Sequence, residues 1–98
     1  MNKADIVNKI ATGTGLTKVE TEAVVEGFIA SIIEAMREGD HIEIRGFGTF
    51  KVKQRAPRIA RNPRTGESVN VPATFTPTFK PSRELRDDVN RELLKSNK

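Results

Sequence analysis

Apolar residues recur at helical spacing through the first third of the chain, alternate strictly through the middle, and return to helical spacing near the end. Ile6, Val7, Ile10 and Ala11 form an apolar stripe of helical period. Asn2 is placed to cap this first helix, Asp5 suits its electropositive end, and Gly13-Thr14-Gly15 is expected to break it. Thr17-Lys18-Val19-Glu20 is a capping-box pattern that opens a second helix. That helix should run to Glu38 and stop with Gly39 in the left-handed region. Its polar face is Glu20, Gly27, Ser31, Glu34 and Glu38. Its apolar face (Ala23, Val24, Val25, Phe28, Ile29, Ile32, Ile33 and Met36) is broad enough for burial against more than one element, including a second subunit.

After Gly39-Asp40 the period becomes two. Ile42 and Ile44 share one face, while His41, Glu43 and Arg45 share the other. Gly46-Phe47-Gly48 reads as a turn or bulge, after which Phe50 and Val52 continue the core face and Lys51 and Lys53 point outward. A return strand follows, with Val69, Val71, Ala73, Phe75 and Phe79 on one face and Ser68, Asn70, Thr74, Thr76, Thr78 and Lys80 on the other. Pro57, Pro72 and Pro77 lack the ladder donor and belong at edges or bulges. Between the strands, Asn62-Pro63 followed by Thr65-Gly66 forms the turn of a long hairpin. An isolated two-stranded ribbon is marginal in water, so its outer portion is expected to order only when a ligand binds. Ser82 can cap a last helix in which Leu85, Val89 and Leu93 repeat, with Arg83, Arg86 and Arg91 toward solvent and a fraying tail from Lys95 to Lys98. The pattern predicts an α+β chain acting as one domain over residues 1–98: a helical base over residues 2–39, sheet and β-arm over 41–81 with a tip at 61–66, and a C-terminal helix over 82–94.

Composition adds a constraint on assembly. With 98 residues, 36% of them hydrophobic and no cysteine, the chain can use neither a disulfide nor a thiolate metal site. Leaving the hairpin outside the core leaves about 70 residues to bury one another, a marginal number. Oligomerisation is the remaining route, and an obligate dimer with a shared core is expected; a chaperoned or partner-bound monomer is the alternative.

Charge then singles out the hairpin. From Lys51 to Gly66 there are six cations (Lys51, Lys53, Arg55, Arg58, Arg61 and Arg64) and no acid. That leaves eleven of the seventeen lysines and arginines against thirteen acids elsewhere, so the net charge of +4 hides a local basic patch on a slightly acidic body. Such a footprint points to a polyanion, and duplex DNA is the expected partner. A membrane surface fits less well, because the basic stretch is β-like and lacks an interfacial apolar face. No apolar run approaches a membrane span, and none after Met1 reads as a signal peptide, so a cytoplasmic location is expected.

Other chemistries find little support. Gly13-x-Gly15 follows a helix, and Gly46-x-Gly48 has Lys51 where a further glycine is needed, so neither is a dinucleotide or P-loop fingerprint. His41 is the sole histidine, without a cysteine or second imidazole to complete a metal site, and no serine sits in a nucleophile elbow. No catalytic constellation, cofactor site or small-molecule substrate site is expected. Phe28, Phe47, Phe50 and Phe79 occupy core-facing positions, which argues against a single-strand binder that stacks bases on aromatics. The rival from another class is an RNA-binding or ribosome-associated basic module.

Arg45-Gly46-Phe47-Gly48-Thr49-Phe50, Arg61-Asn62-Pro63-Arg64-Thr65-Gly66-Glu67 and Phe79-Lys80-Pro81 together closely resemble the bacterial HU and integration host factor family, over nearly the whole chain. The resemblance implies an intertwined dimer with a helical base, a small antiparallel sheet and two β-ribbon arms that embrace the minor groove of DNA and kink it by intercalation. It implies that Pro63 is the intercalating wedge, with Arg58, Arg61, Asn62 and Arg64 in the groove and Lys53 and Arg55 along the base of the arm. It places Lys3, Lys80, Ser82, Arg83 and Arg86 at phosphates on the flanks. Arg55-Ala56-Pro57-Arg58, Glu84-Leu85-Arg86-Asp87, Glu43 and Arg45 are locally most similar to the β subunit of integration host factor, in which the strand carrying Arg45 approaches DNA. Homodimer and heterodimer with a related subunit both remain open, as do non-specific and site-specific binding. The chain departs from the family at Ala60 and Ser82, where glycine is frequent, and in extending several residues past the usual end of HU. The implied role is DNA bending in the nucleoid, for compaction and for assembly of recombination, replication or transcription complexes.

Overall fold

The computed structural model describes residues 1–96. The elements follow the order α1 (Lys3–Thr14), α2 (Lys18–Arg37), β1 (Ile42–Ile44), β2 (Gly48–Arg55), β3 (Arg58–Arg61), β4 (Ser68–Val71), β5 (Thr74–Pro81) and α3 (Arg83–Ser96). The α+β class expected from the pattern is therefore observed. Two compact units are distinguished, residues 1–35 and the chain from Met36 onward.

In the first unit both helices begin on reciprocal caps. Asn2 Oδ1 accepts from the Asp5 backbone N–H at 3.0 Å while Asp5 Oδ2 accepts from the Asn2 N–H at 2.9 Å. Thr17 and Glu20 repeat the arrangement at the head of α2. Gly13 does not break α1. A mid-helix glycine costs only about 1 kcal/mol relative to alanine, so the helix continues through Thr14 and ends where Gly15 turns left-handed with φ 78°. Val7, Ala11 and Ile32 are the buried apolar residues, and Thr21 is buried with its hydroxyl donating to the Thr17 carbonyl at 2.8 Å. The remainder of the broad α2 face is uncovered in the single chain: Val24, Phe28, Ile29 and Ile33 are exposed.

In the second unit, β1, β2 and β5 form an antiparallel three-stranded sheet in the order β1-β2-β5. Gly46 makes the β1–β2 turn at φ 81°. The Phe47, Phe50 and Phe79 rings cluster with centroids 4.7 to 6.4 Å apart. Since β1 reaches only as far as the Ile42↔Phe50 pair, the sheet continues outward as a two-stranded ribbon to Arg55↔Thr74. Phe75, which alternation puts on the same strand face as Phe79, is 69% exposed, because the ribbon at that point has left the third strand behind.

The two long arm strands expected from the alternation are each broken once. The β2–β5 ladder stops at Arg55↔Thr74 and the β3–β4 ladder starts at Arg58↔Val71, so Pro57 and Pro72 lie in the gaps on opposite strands. Pro77 stays inside β5, which is tolerated because β5 is an edge strand. Ser82 caps α3 through the Leu85 N–H at 3.1 Å. The fraying expected from Lys95 is not seen at Lys95 or Ser96, where α3 continues with Lys95 paired to Glu92 and the Ser96 hydroxyl bonded to the Glu92 carbonyl. Asn97 and Lys98, the end of that expected tail, lie outside the described residues.

Candidate nucleic-acid interface

Five of the site residues expected from sequence converge on one cavity. Arg45, Lys80, Ser82, Arg83 and Arg86 line a space of about 550 Å³ between the β1–β2 turn and the start of α3, together with Glu43, Thr49, Lys51 and Glu84. The placement follows from local chemistry. The Ser82 N–H donates to the Phe47 carbonyl at 2.9 Å, which seats the α3 N-terminus against the turn. Unpaired N–H groups at a helix start carry partial positive charge, so they add to the surrounding cations in favouring an anion.

Lys51 was not among the site residues expected from sequence, yet it lines the same cavity. The signal that could have found it is the two-residue period. Lys51, Lys53 and Arg55 share a face of β2, opposite Thr78, Thr76 and Thr74, so they form one cationic row leading from the cavity along the base of the arm.

On the outer ribbon the register is Arg58↔Val71, Ile59↔Asn70, Ala60↔Val69 and Arg61↔Ser68. One face therefore carries Arg58, Ala60, Val69 and Val71, and the other carries Ile59, Arg61, Ser68 and Asn70. Arg58 and Arg61, grouped by sequence, are separated by structure. Ile59 is 75% exposed on the Arg61 face.

The tip is built by Asn62. Its N–H donates to the Glu67 carbonyl and its carbonyl accepts from the Gly66 N–H, both at 2.8 Å. Its side-chain Oδ1 accepts from the Arg64 N–H at 2.9 Å, and Gly66 completes the turn at φ 76°. Asn62 is half-buried, whereas Pro63 and Arg64 are exposed at the apex.

Lys3 lies in the first unit and is already engaged: its Nζ donates to Glu26 Oε1 at 2.8 Å. The hydrogen bond and charge of Glu26 raise the Lys3 ammonium above its ordinary pKa, and Lys3 in turn holds the Glu26 carboxyl low. That bond uses one of the three donors of the ammonium, and the Lys3 side chain is half exposed. Among the described residues no group of three or more His, Cys, Asp or Glu is placed to hold a metal ion, and no helix is long and apolar enough to cross a membrane.

Known proteins resemble the chain over nearly its whole length. The sequence model for bacterial DNA-binding proteins matches residues 1–90. DNA-binding protein HU of Geobacillus stearothermophilus is 44% identical over 89 residues, covering 91% of this chain and 99% of that one. The integration host factor β subunit of Pseudomonas paraeruginosa is 45% identical over 91 residues, covering 92% and 97%. Among solved structures, HU from an Anabaena HU–DNA cocrystal superimposes with a TM-score of 0.83 at 37% identity, covering 91% of this chain and 97% of that one.

Proposed function

The chain belongs to the bacterial DNA-binding protein family, and we propose that it is a dimeric, non-enzymatic architectural protein that binds double-stranded DNA and bends it. The observation that carries the reading is the cationic row of Lys51, Lys53 and Arg55, which leads from the α3 cavity along the base of the arm. Beyond it the chain as far as Gly66 adds Arg58, Arg61 and Arg64 without an acid and exposes Pro63 at the apex.

Phosphates are drawn to the cavity, where Arg45, Lys80, Ser82, Arg83 and Arg86 flank a helix N-terminus, and to Lys3 on the first unit. The arm follows the minor groove with Lys53 and Arg55 at its base and Arg58, Arg61, Asn62 and Arg64 farther out. Pro63 enters between base pairs as a rigid apolar wedge. Unstacking one step costs a few kcal/mol, offset by the extra contacts that a bent duplex makes. Affinity comes from released counterions, and site preference from the deformability of the kinked steps. Residues 1–98 act together as one DNA-bending domain, in the cytoplasm on the nucleoid, in compaction and in assembling recombination, replication or transcription complexes.

The dimer has its own support. Val24, Phe28, Ile29 and Ile33 leave the apolar face of α2 bare in the single chain. A homodimer satisfies that face with an identical one; a related subunit presenting a similar face is the alternative.

The test is competition between duplex DNA and double-stranded RNA across a salt titration, with wild type and Arg61→Ala. Duplex DNA, above all nicked or mismatched duplex, is expected to win, and Arg61→Ala to reduce the salt slope by about one. Stronger binding to RNA would overturn the reading in favour of an RNA-binding module.

A further inference from the structure

Beyond the Phe50↔Phe79 pair, alternate rungs of the β2–β5 ribbon carry one cation and one hydroxyl each. Lys51 stands opposite Thr78, Lys53 opposite Thr76 and Arg55 opposite Thr74. The rungs between them, Val52↔Pro77 and Gln54↔Phe75, take the other face and hold no charge. A polyanion is therefore drawn to the first face, and no carboxylate stands on this stretch of either strand to compete with it. Directly opposite β-carbons lie about 4.5–5.5 Å apart, so the cation and the hydroxyl of one rung can meet the same phosphate. Successive cations on this face stand about 6.6 Å apart along the strand. That spacing suits neighbouring phosphates of one DNA strand, which step about 3.4 Å along the helix axis and farther along the winding backbone.

The three hydroxyls are not equivalent. A phosphodiester offers only acceptors, and a hydroxyl has one proton to give. The Thr78 hydroxyl already donates that proton to the Lys51 carbonyl at 3.1 Å, and among the described residues it is the only one of the three so engaged.

We propose that Thr74 and Thr76 are DNA-backbone ligands, each donating to the phosphate that Arg55 or Lys53 neutralises from the opposite strand. The inference rests on the DNA reading above and adds two residues to its site. The cation brings charge with little direction, whereas the short hydroxyl fixes where the phosphate oxygen sits, and so sets the position of the arm on the duplex. Contacts of this kind are indifferent to base sequence.

Threonine is also a good strand former, and valine keeps that property while removing the hydroxyl. The experiment therefore measures affinity for one DNA duplex across a salt titration. Thr74→Val and Thr76→Val are each expected to weaken binding about three- to tenfold with the salt slope unchanged, since each removes a hydrogen bond to a charged group and no charge. Lys53→Gln should instead reduce the slope by about one. Thr78→Val should bind as wild type because its proton is spent, and Thr76→Ser because it keeps the hydroxyl. Wild-type affinity in Thr74→Val or Thr76→Val, or an equal loss in Thr78→Val or Thr76→Ser, would overturn the inference while DNA binding stands. If the wild type does not bind the duplex, the DNA reading fails and the inference fails with it.

Discussion

Gly48 leaves no room for a side chain beside Phe79: a β-carbon on it would stand 2.6 Å from Phe79 Cζ and 2.5 Å from the Lys80 carbonyl oxygen. The Phe79 ring lies over that bare backbone and packs on Phe47 and Phe50, at centroid distances of 5.0 and 4.7 Å. Gly48 begins β2 and Phe79 lies near the end of β5, so this contact fixes the root of the strands that carry the arm.

Gly48→Ala is accordingly expected to cost about 1–3 kcal/mol, because the atoms it meets are strand backbone and a packed ring rather than a flexible chain end. A fall in the thermal midpoint with weaker bending of DNA is the expected result. Full stability in the variant would show that the ring can move aside.

Pro63→Ala separates reaching DNA from deforming it. Alanine keeps the Asn62–Glu67 and Asn62–Gly66 bonds that build the tip but removes the ring at the apex. Bending, followed by energy transfer between the ends of a labelled duplex, should fall much more than affinity at low salt. An unchanged bend would eliminate the wedge.

The caps at Asn2 and Thr17, the two-residue alternation and the Asn62–Gly66 turn were legible in the sequence because each is set by residues within a few positions of one another. The breaks at Pro57 and Pro72 were only half legible. Proline marked them, but their positions on opposite strands depend on register. Phe75 and Phe79 share a strand face yet Phe75 is 69% exposed and Phe79 39%, because alternation reports which face a residue takes and not whether anything covers that face. The Gly13-Thr14-Gly15 break was legible as a stretch, but not which glycine ends the helix: Gly13 only weakens it, and Gly15 turns left-handed. At the site, the arginines were visible as charge. Their sorting onto opposite faces, and the place of Lys51 in the cavity, required a three-dimensional register.

The α2 face offers a direct test of the proposed dimer. Phe28 and Ile33 are exposed in the single chain, and a charge at either position would be harmless if they stayed so. Phe28→Asp or Ile33→Asp is expected to yield monomeric, largely unfolded protein by sedimentation and circular dichroism, since burying an unpaired carboxylate in a shared core costs several kcal/mol. A folded, dimeric variant would place the interface elsewhere.

The Lys3–Glu26 pair predicts a pH signature. The Glu26 carboxyl is held low by Lys3, so its contribution is present above the ordinary carboxylate range and is lost as pH falls through the depressed folded value. Lys3 is raised, so its share is present at neutral pH and is lost only as pH climbs through the raised value. Glu26→Gln should therefore lower the thermal midpoint slightly and evenly between about pH 6 and 9, with the difference from wild type closing in acid. Both side chains are about half exposed, at 50% and 53%, so added salt should shrink the difference as well. A difference that persists unchanged at pH 2 would mean that Glu26 acts through something other than its charge.

The arm should order in two steps along its length. The inner ribbon, Gly48–Arg55 with Thr74–Pro81, shares a sheet with β1 and is anchored by the phenylalanine cluster. The outer ribbon, Arg58–Arg61 with Ser68–Val71, is a separate two-stranded ladder beyond the proline gaps, with Ile59 and Val69 exposed. Ribbons of that kind are marginal in water, and opening one releases few buried contacts. Amide exchange in the free protein is therefore expected to be fast for the outer ladder and slow for the inner one. With saturating duplex DNA the outer amides should slow by at least tenfold, as the groove takes over the role that a packed core plays elsewhere. Pro63→Ala should preserve most of that slowing if the arginines hold the arm in the groove and the proline only deforms the step it enters. Protection equal to that of the inner ribbon before DNA is added would show an arm already rigid, and the cost of ordering it would then drop out of the binding free energy.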